Sequence, residues 1–410
     1  MFLLLVAIGQ ALAFLDYYES PGTRDLSISG VIKVGALYLS VFHHAGIVAR
    51  APVLESSVDV SLSAALLGVT ALAVYVLYLG GRSLANEFGG SALVRALHGL
   101  KIAPAYAVLF LLVSIILAAS PIRIDEGTIR TAPMGAFLWP LVIAAFAGAA
   151  GGVMTAKEEI AARWAWGRRG VAVVVAGWRM LLAGLVLSFV GLLVLAIAKP
   201  DDSKVYFAGL RNAGEEGGVV AAVHNVLLFP NESVLVLVPA MGACDGVYGG
   251  FFSFDLLCYT NFPKGSAPPS GAQPTVANPL AGLSGFLPKS GTAPIGYFLF
   301  LLVPLLATLW GGRFAARGAE SRGEALALGA ASGVVFAILV AGAAILAGIS
   351  IGVSGGIAGF GLGGALSAGP QVATGGLLAL LWGAGGGSLG ALTLSRSAGE
   401  VVPEGMPPGG

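Results

Sequence analysis

Charge is what this sequence has least of. Only 10% of its 410 residues are Asp, Glu, Lys or Arg, against roughly 25% in an ordinary soluble domain. So few charges cannot cover the surface of a soluble protein of this size. The net charge is +1 and no long basic tract occurs, so nothing points to nucleic acid as a partner. Catalytic signatures are missing as well: there is no P-loop and no His-Glu-x-x-His. Gly359-x-Gly361-x-x-Gly364 matches a dinucleotide fingerprint only as a string, since no strand pattern precedes it and it sits in a glycine-rich loop. No Asp or Glu stands centrally in any apolar run, where a proton-coupled carrier usually keeps a tunable carboxylate. The sequence therefore asks for no cofactor and no metal. Cysteine is down to two residues, Cys244 and Cys258.

What fills the space is apolar. Hydrophobic residues make up 57% of the chain and the mean hydropathy is +0.89. Crossing about 30 Å of hydrocarbon takes roughly 20 apolar residues, and the runs are there. Met1–Leu15, Asp59–Gly80, Ala103–Ala119, Met134–Thr155, Met180–Ala198, Ile295–Trp310, Ala325–Ile351 and Thr374–Leu394 read as spans. Trp178 and Arg179, ahead of the fifth, read as an interfacial anchor. Two further apolar stretches, 26–50 and 217–242, are interrupted by polar residues and read as re-entrant or interfacial helices. Such backbone is tolerated at membrane depth only under cover of protein or beside a watery cavity. The fold class expected is thus all-α: a polytopic integral membrane protein with about eight transmembrane helices.

Loop charges orient it. The loops 82–101, 157–169 and 313–324 carry more basic than acidic residues, and the alternate loops are neutral or acidic. The positive-inside rule then places both termini in the cytoplasm. The alanine- and glycine-rich composition suggests a prokaryotic cytoplasmic membrane, with the lipid bilayer as the first partner and a homo-oligomer or membrane complex as a further one.

An internal duplication is also expected. Span two ends in Leu79-Gly80-Gly81-Arg82 and span six in Trp310-Gly311-Gly312-Arg313. Each half reads as span, broken stretch, span, span, span, so the two would be parallel repeats related by an axis along the membrane normal. Residues 1–155 form the first repeat and 156–170 a cytoplasmic linker. Residues 171–394 form the second, with a long outer loop at 241–294, and 395–410 a flexible cytoplasmic tail. Under this scheme the first span is several residues short of the bilayer, which leads us to expect that the natural chain begins upstream of Met1. Gly148-x-x-x-Gly152, Gly383-x-x-x-Gly387 and Gly386-x-x-x-Gly390 allow close helix approach, and are expected to pack spans four and eight on each other.

The polar residues of the broken stretches are the candidate site: Lys33, His43, His44, His224, Asn225, Asn231 and Glu232. Aligning the stretches sets His43 and His44 opposite Asn231 and Glu232. Either these residues cap short helices at the interface, or they line a shared outer cavity near the pseudo-axis. Cys244 and Cys258 fall in the outer segment, where thiols oxidise, and are expected to form a disulfide. Two functions follow: a transporter, channel or flippase-like protein with a pathway between the halves, or a non-catalytic membrane scaffold or assembly component. A lipid-acting intramembrane enzyme comes third.

Overall fold

A computed structural model describes residues 28–53, 56–124, 127–163, 167–198, 218–249, 253–260, 262–264, 289–357 and 360–398. The expected span Met1–Leu15, residues 265–288 of the outer loop and the tail beyond residue 398 lie outside the described residues, as do the side chains of His224 and Asn225.

The first half runs α1 (Ile28–Phe42), β1 (Ile47–Val53), β2 (Ser56–Ser63), α2 (Leu67–Phe88), α3 (Ala92–Leu100), α4 (Ile102–Ala119), β3 (Ile122–Ile124), β4 (Gly127–Thr131) and α5 (Pro133–Met154). A short α6 (Lys157–Arg163) leads into the second half. That half runs α7 (Gly167–Ala198), α8 (Gly218–Ala240), β5 (Asp245–Gly249), β6 (Ser253–Leu257), β7 (Phe262–Lys264), β8 (Lys289–Gly291), a 3-10 turn (Ile295–Leu301), α9 (Leu302–Ala315), α10 (Arg322–Ala347), β9 (Ile349–Ile357), β10 (Phe360–Pro370) and α11 (Val372–Ala398).

Among the described residues, seven helices are long and apolar enough to cross a membrane: Leu67–Phe88, Ala92–Ala119, Pro133–Met154, Gly167–Leu195, Ile295–Ala315, Arg322–Ala347 and Val372–Thr393. The chain is mostly helical, as expected, but it is not all-α: the hairpins between the helices pair into one eight-stranded sheet in the order β3-β4-β1-β2-β9-β10-β5-β6. Segments expected as span ends or plain loops supply its strands. Residues 59–63 open the expected second span and pair as β2, 349–351 close the seventh and start β9, and the glycine-rich stretch 352–370 is largely the β9–β10 hairpin. Alternation in Ser56–Ser63 (Val58, Val60 and Leu62 between polar residues) suits a strand, not a helix.

Every hairpin joins helices at one end of the bundle, the sheet end, so the long helices run alternately toward and away from it. The two short helices descend beside them from that same end. In α1, Lys33 Nζ donates to Ser120 Oγ (2.6 Å), just past the sheet end of α4. His43, following α1, instead meets Tyr106, about 20 Å back along α4 at 1.5 Å per residue. In the second half, the backbone of Leu227 lies against Gly68 at the start of α2, while Leu237 packs on Gly184 inside α7. The largest apolar core forms there, from Met180, Leu237, Val238, Phe336 and Val340 among others.

Glycines set the long-helix contacts, but not between α5 and α11 as expected. Gly148 of α5 meets Gly81 of α2 and Gly99 of α3, and Gly152 meets the Arg95 carbonyl. Gly387 of α11 meets Gly312 of α9 and Gly329 of α10; Gly383 meets Gly333, Gly386 meets Thr308 and Gly390 the Leu309 carbonyl. Each small-residue helix is therefore clasped by its own half. Arg179 of α7 lays its guanidinium over the Phe314 ring at 4.0 Å.

Candidate functional site

Two of the sequence candidates, His43 and His44, sit in the turn that ends α1, and a turn of the same form ends α8. After α1, the backbone N–H groups of His43, His44 and Ala45 donate to the carbonyls of Ser40, Val41 and Ser40. After α8, those of Met241, Gly242 and Ala243 donate to Val238, Pro239 and Val238. Each turn then accepts a bond from the residue ahead of a long helix: Ala132 N to Gly46 O (3.1 Å), and Gln371 N to Cys244 O (2.9 Å). The matching turns pair His43 with Met241 and His44 with Gly242. The sequence alignment had set the histidines opposite Asn231 and Glu232, and the hydrogen bonds of the two turns follow a different register. Counted back from the turns, Asn231 has Lys33 as its counterpart, ten residues before Met241 and His43 respectively.

His44 adopts φ 59° and Gly242 φ 101°, a region that costs a side-chain-bearing residue about 1–2 kcal/mol. At His44 the contacts offset that cost. Ser63 Oγ lies 2.8 Å from Nδ1, the Ile345 carbonyl 3.4 Å from Nε2, and the Trp139 ring 5.0 Å away centre to centre. His43 is wholly buried. Its Nδ1 donates to Leu39 O (2.9 Å), Nε2 accepts from the Tyr106 hydroxyl (2.7 Å), and its ring packs 4.3 Å from that of Phe110. The Leu39 carbonyl fixes the proton on Nδ1, and in the neutral ring Nε2 is then the acceptor.

Asn231 joins the two halves. Its Nδ2 donates to Ala65 O and its Oδ1 accepts from Leu67 N, both at 2.7 Å. It thereby satisfies one of the unpaired N–H groups at the start of α2. Glu232 beside it is half-buried. Among the described residues the candidates are thus spread over a helix edge (Lys33), a packed turn (His43, His44) and a junction (Asn231), not gathered round one cavity. The grooves found open on apolar helix flanks instead. One of about 630 Å³ is lined by Leu182, Val186, Leu306, Trp310 and Arg313, and one of about 380 Å³ by Val76, Ile102 and Leu109.

The second turn carries the expected cysteine pair, together with two carboxylates, Asp245 and Asp255, that the sequence reading passed over. Cys244 and Cys258 are brought to disulfide distance, Cα atoms 4.7 Å apart, stapling the β5–β6 hairpin. Closing so short a loop is worth about 3 kcal/mol of chain entropy. Asp255 brings a carboxylate oxygen within 4.8 Å of both sulfurs, but sulfurs bonded to each other offer no thiolates to a metal. Asp255 accepts instead from Gln371 Nε2 (2.9 Å).

Asp245 is 7% exposed, and its Oδ1 has no hydrogen-bond partner among the described residues. Burial pushes its carboxyl up from 3.8 to about 8. Between those values the folded chain holds a proton that the unfolded chain has lost, so stability falls as pH rises. Asp59, held below the usual range by its bond to Arg50, is ionised in both states above pH 6.5 and adds no slope there. In that range, where the buried histidines are neutral in both states, we expect the thermal midpoint in detergent to drop up to pH 8.5, and Asp245→Asn to flatten the drop. A wild-type midpoint that climbs across this range would contradict the assignment.

These features are compatible with one class, a multi-pass integral membrane protein. Comparison of the chain with protein-family models, curated proteins and solved structures finds no match.

Proposed function

We propose that the chain is a non-catalytic scaffold or assembly component of a prokaryotic cytoplasmic membrane, made of two parallel repeats with the sheet on the outer face. Three correspondences support the repeat. The turns match bond for bond, as described. The strand registers match: Ile47 opposes Thr131 and Val48 opposes Arg130, as Asp245 opposes Pro370 and Gly246 opposes Gly369. The clasps match too, Gly81 with Gly148 and Gly312 with Gly387. Orientation rests on Arg82, Arg95, Lys101, Arg168, Arg313 and Arg317, all in segments at the end remote from the sheet.

The observation that carries the scaffold reading is the filled junction between the halves. A pathway needs polar groups free to meet a solute. Here Asn231 is spent on Ala65 and Leu67, and His44 on Ser63 and Ile345. Val69 beside them is fully buried, and Gly68 touches backbone. Packing of this kind suits a rigid platform that presents a broad sheet to the outside.

Thiol labelling tests it. Val69→Cys in native membranes should stay unmodified by small water-soluble reagents under conditions that label Arg123→Cys fully. Labelling of both at similar rates would overturn the scaffold and restore a transport pathway between the re-entrant helices.

A further inference from the structure

We infer that this protein assembles with further copies of itself by repeating, between chains, the junction that joins its own two halves. The inference rests on the two-repeat reading. Within the chain, the first half contributes β2 and the start of α2, and the second contributes β9, α8 and the end of α10. Val60 opposes Val353 across the strands, Asn231 bonds the start of α2, and His44 reaches the Ile345 carbonyl. The partners use different surfaces, so the contact is heterologous. A heterologous contact between two equivalent units always leaves one surface of each kind unmatched.

The unmatched surfaces can be named. The counterparts of β2 and α2 are β6 and the 3-10 turn leading into α9; those of β9, α8 and α10 are β3, α1 and α4. Among the described residues these do not pair: β3 and β6 are the two outermost strands of the sheet. The outermost strand of a sheet is a template for another strand. Below the sheet, fourteen residues before the clasp glycines Gly81 and Gly312, stand Leu67 and Phe298. Leu67 packs into the core at the junction, whereas Phe298 and its neighbour Leu299 are 40% and 68% exposed. On the opposite flank, Lys33 occupies the place of Asn231, the residue that meets Leu67 at the internal junction. The two mates of the missing contact thus lie at opposite ends of one chain, and a second copy brings them together. Heterologous contacts that close make rings, and with every unit in the same orientation across the bilayer the ring lies in the membrane plane, its sheets continuous from chain to chain.

The test is cysteine cross-linking in membranes. Lys33→Cys in one tagged copy and Phe298→Cys in a differently tagged copy should be joined by a short thiol-specific linker into a product carrying both tags. The double variant should give covalent dimers and higher multiples. The wild-type particle in mild detergent should have a mass that is a multiple of the chain mass. Linkage of the double variant within one chain only, or a single-chain particle with no linkage, overturns the inference. Val60→Cys with Val353→Cys is the control and links within one chain. Its success alongside a silent Lys33–Phe298 pair refutes the assembly alone, whereas its failure removes the internal junction and the two-repeat reading with it.

Discussion

Gly312→Ala should be among the most damaging single-methyl additions this protein can suffer. A Cβ at Gly312 is driven into the backbone carbonyl of Gly387, and one at Gly81 into that of Gly148. Neither obstacle is a side chain that can swing aside, so two helices must separate. Overpacking of a close contact costs about 1–3 kcal/mol and sometimes more, and backbone against backbone belongs at or beyond the top of that range. Separation also forfeits the dispersion contacts that hold membrane helices together where no hydrophobic effect acts between them. Because the clasps match, Gly81→Ala should lower the thermal midpoint about as much as Gly312→Ala. Gly342 and Gly385 have open space where a Cβ would go, so alanine there should be neutral or raise helix stability by up to about 1 kcal/mol. Equal tolerance of alanine at Gly312 and Gly342, measured by thermal unfolding in detergent, would show that the clasp is absent.

Asn231→Leu should be nearly as costly, for a different reason. Leucine approximates the volume but offers neither donor nor acceptor, which leaves the Leu67 N–H and the Ala65 carbonyl unpaired in a dry junction. Each such group costs about 1–3 kcal/mol, and the loss falls on the contact between the halves. The expected result is a split in unfolding: the halves separate at lower temperature while each keeps its own glycine clasp. Asn231→Asp keeps the acceptor for Leu67 but loses the donor to Ala65, and should fall between wild type and Asn231→Leu. A single unshifted transition for Asn231→Leu would mean that the junction does not depend on this side chain.

The spans were legible in the sequence because length and hydropathy are what a bilayer selects for, and seven of the expected runs coincide with long apolar helices. The hairpins were not. In β9 and β10 glycine, serine and alanine stand where branched residues would announce a strand, and in β2 the valines and leucine raised the local hydropathy enough to be absorbed into the next span. Glycine spacing singled out Gly148, Gly152, Gly383 and Gly387, but a string cannot say which helix comes close. The partners, Gly81 and Gly312, were already visible in the Gly-Gly-Arg ends, yet they had been noted as markers of a repeat and not as contacts. At the site, polar residues inside apolar stretches signalled that something must satisfy them. Their partners are carbonyls and N–H groups far away in sequence (Ile345 for His44, Leu67 for Asn231), which only the fold brings near. Asp245 left no signal at all, since nothing in the sequence marks a residue after Cys244 as the first of a buried strand.

The central claim is that both halves cross one membrane in the same sense, with the sheet outside. Sided labelling of single cysteines in right-side-out vesicles tests it most directly. Arg123→Cys in the first half and Ser253→Cys in the second should both react with an impermeant reagent, while Glu87→Cys and Arg317→Cys should react only after permeabilisation. Labelling of Arg317→Cys from outside, or opposite sidedness in the two halves, would contradict it.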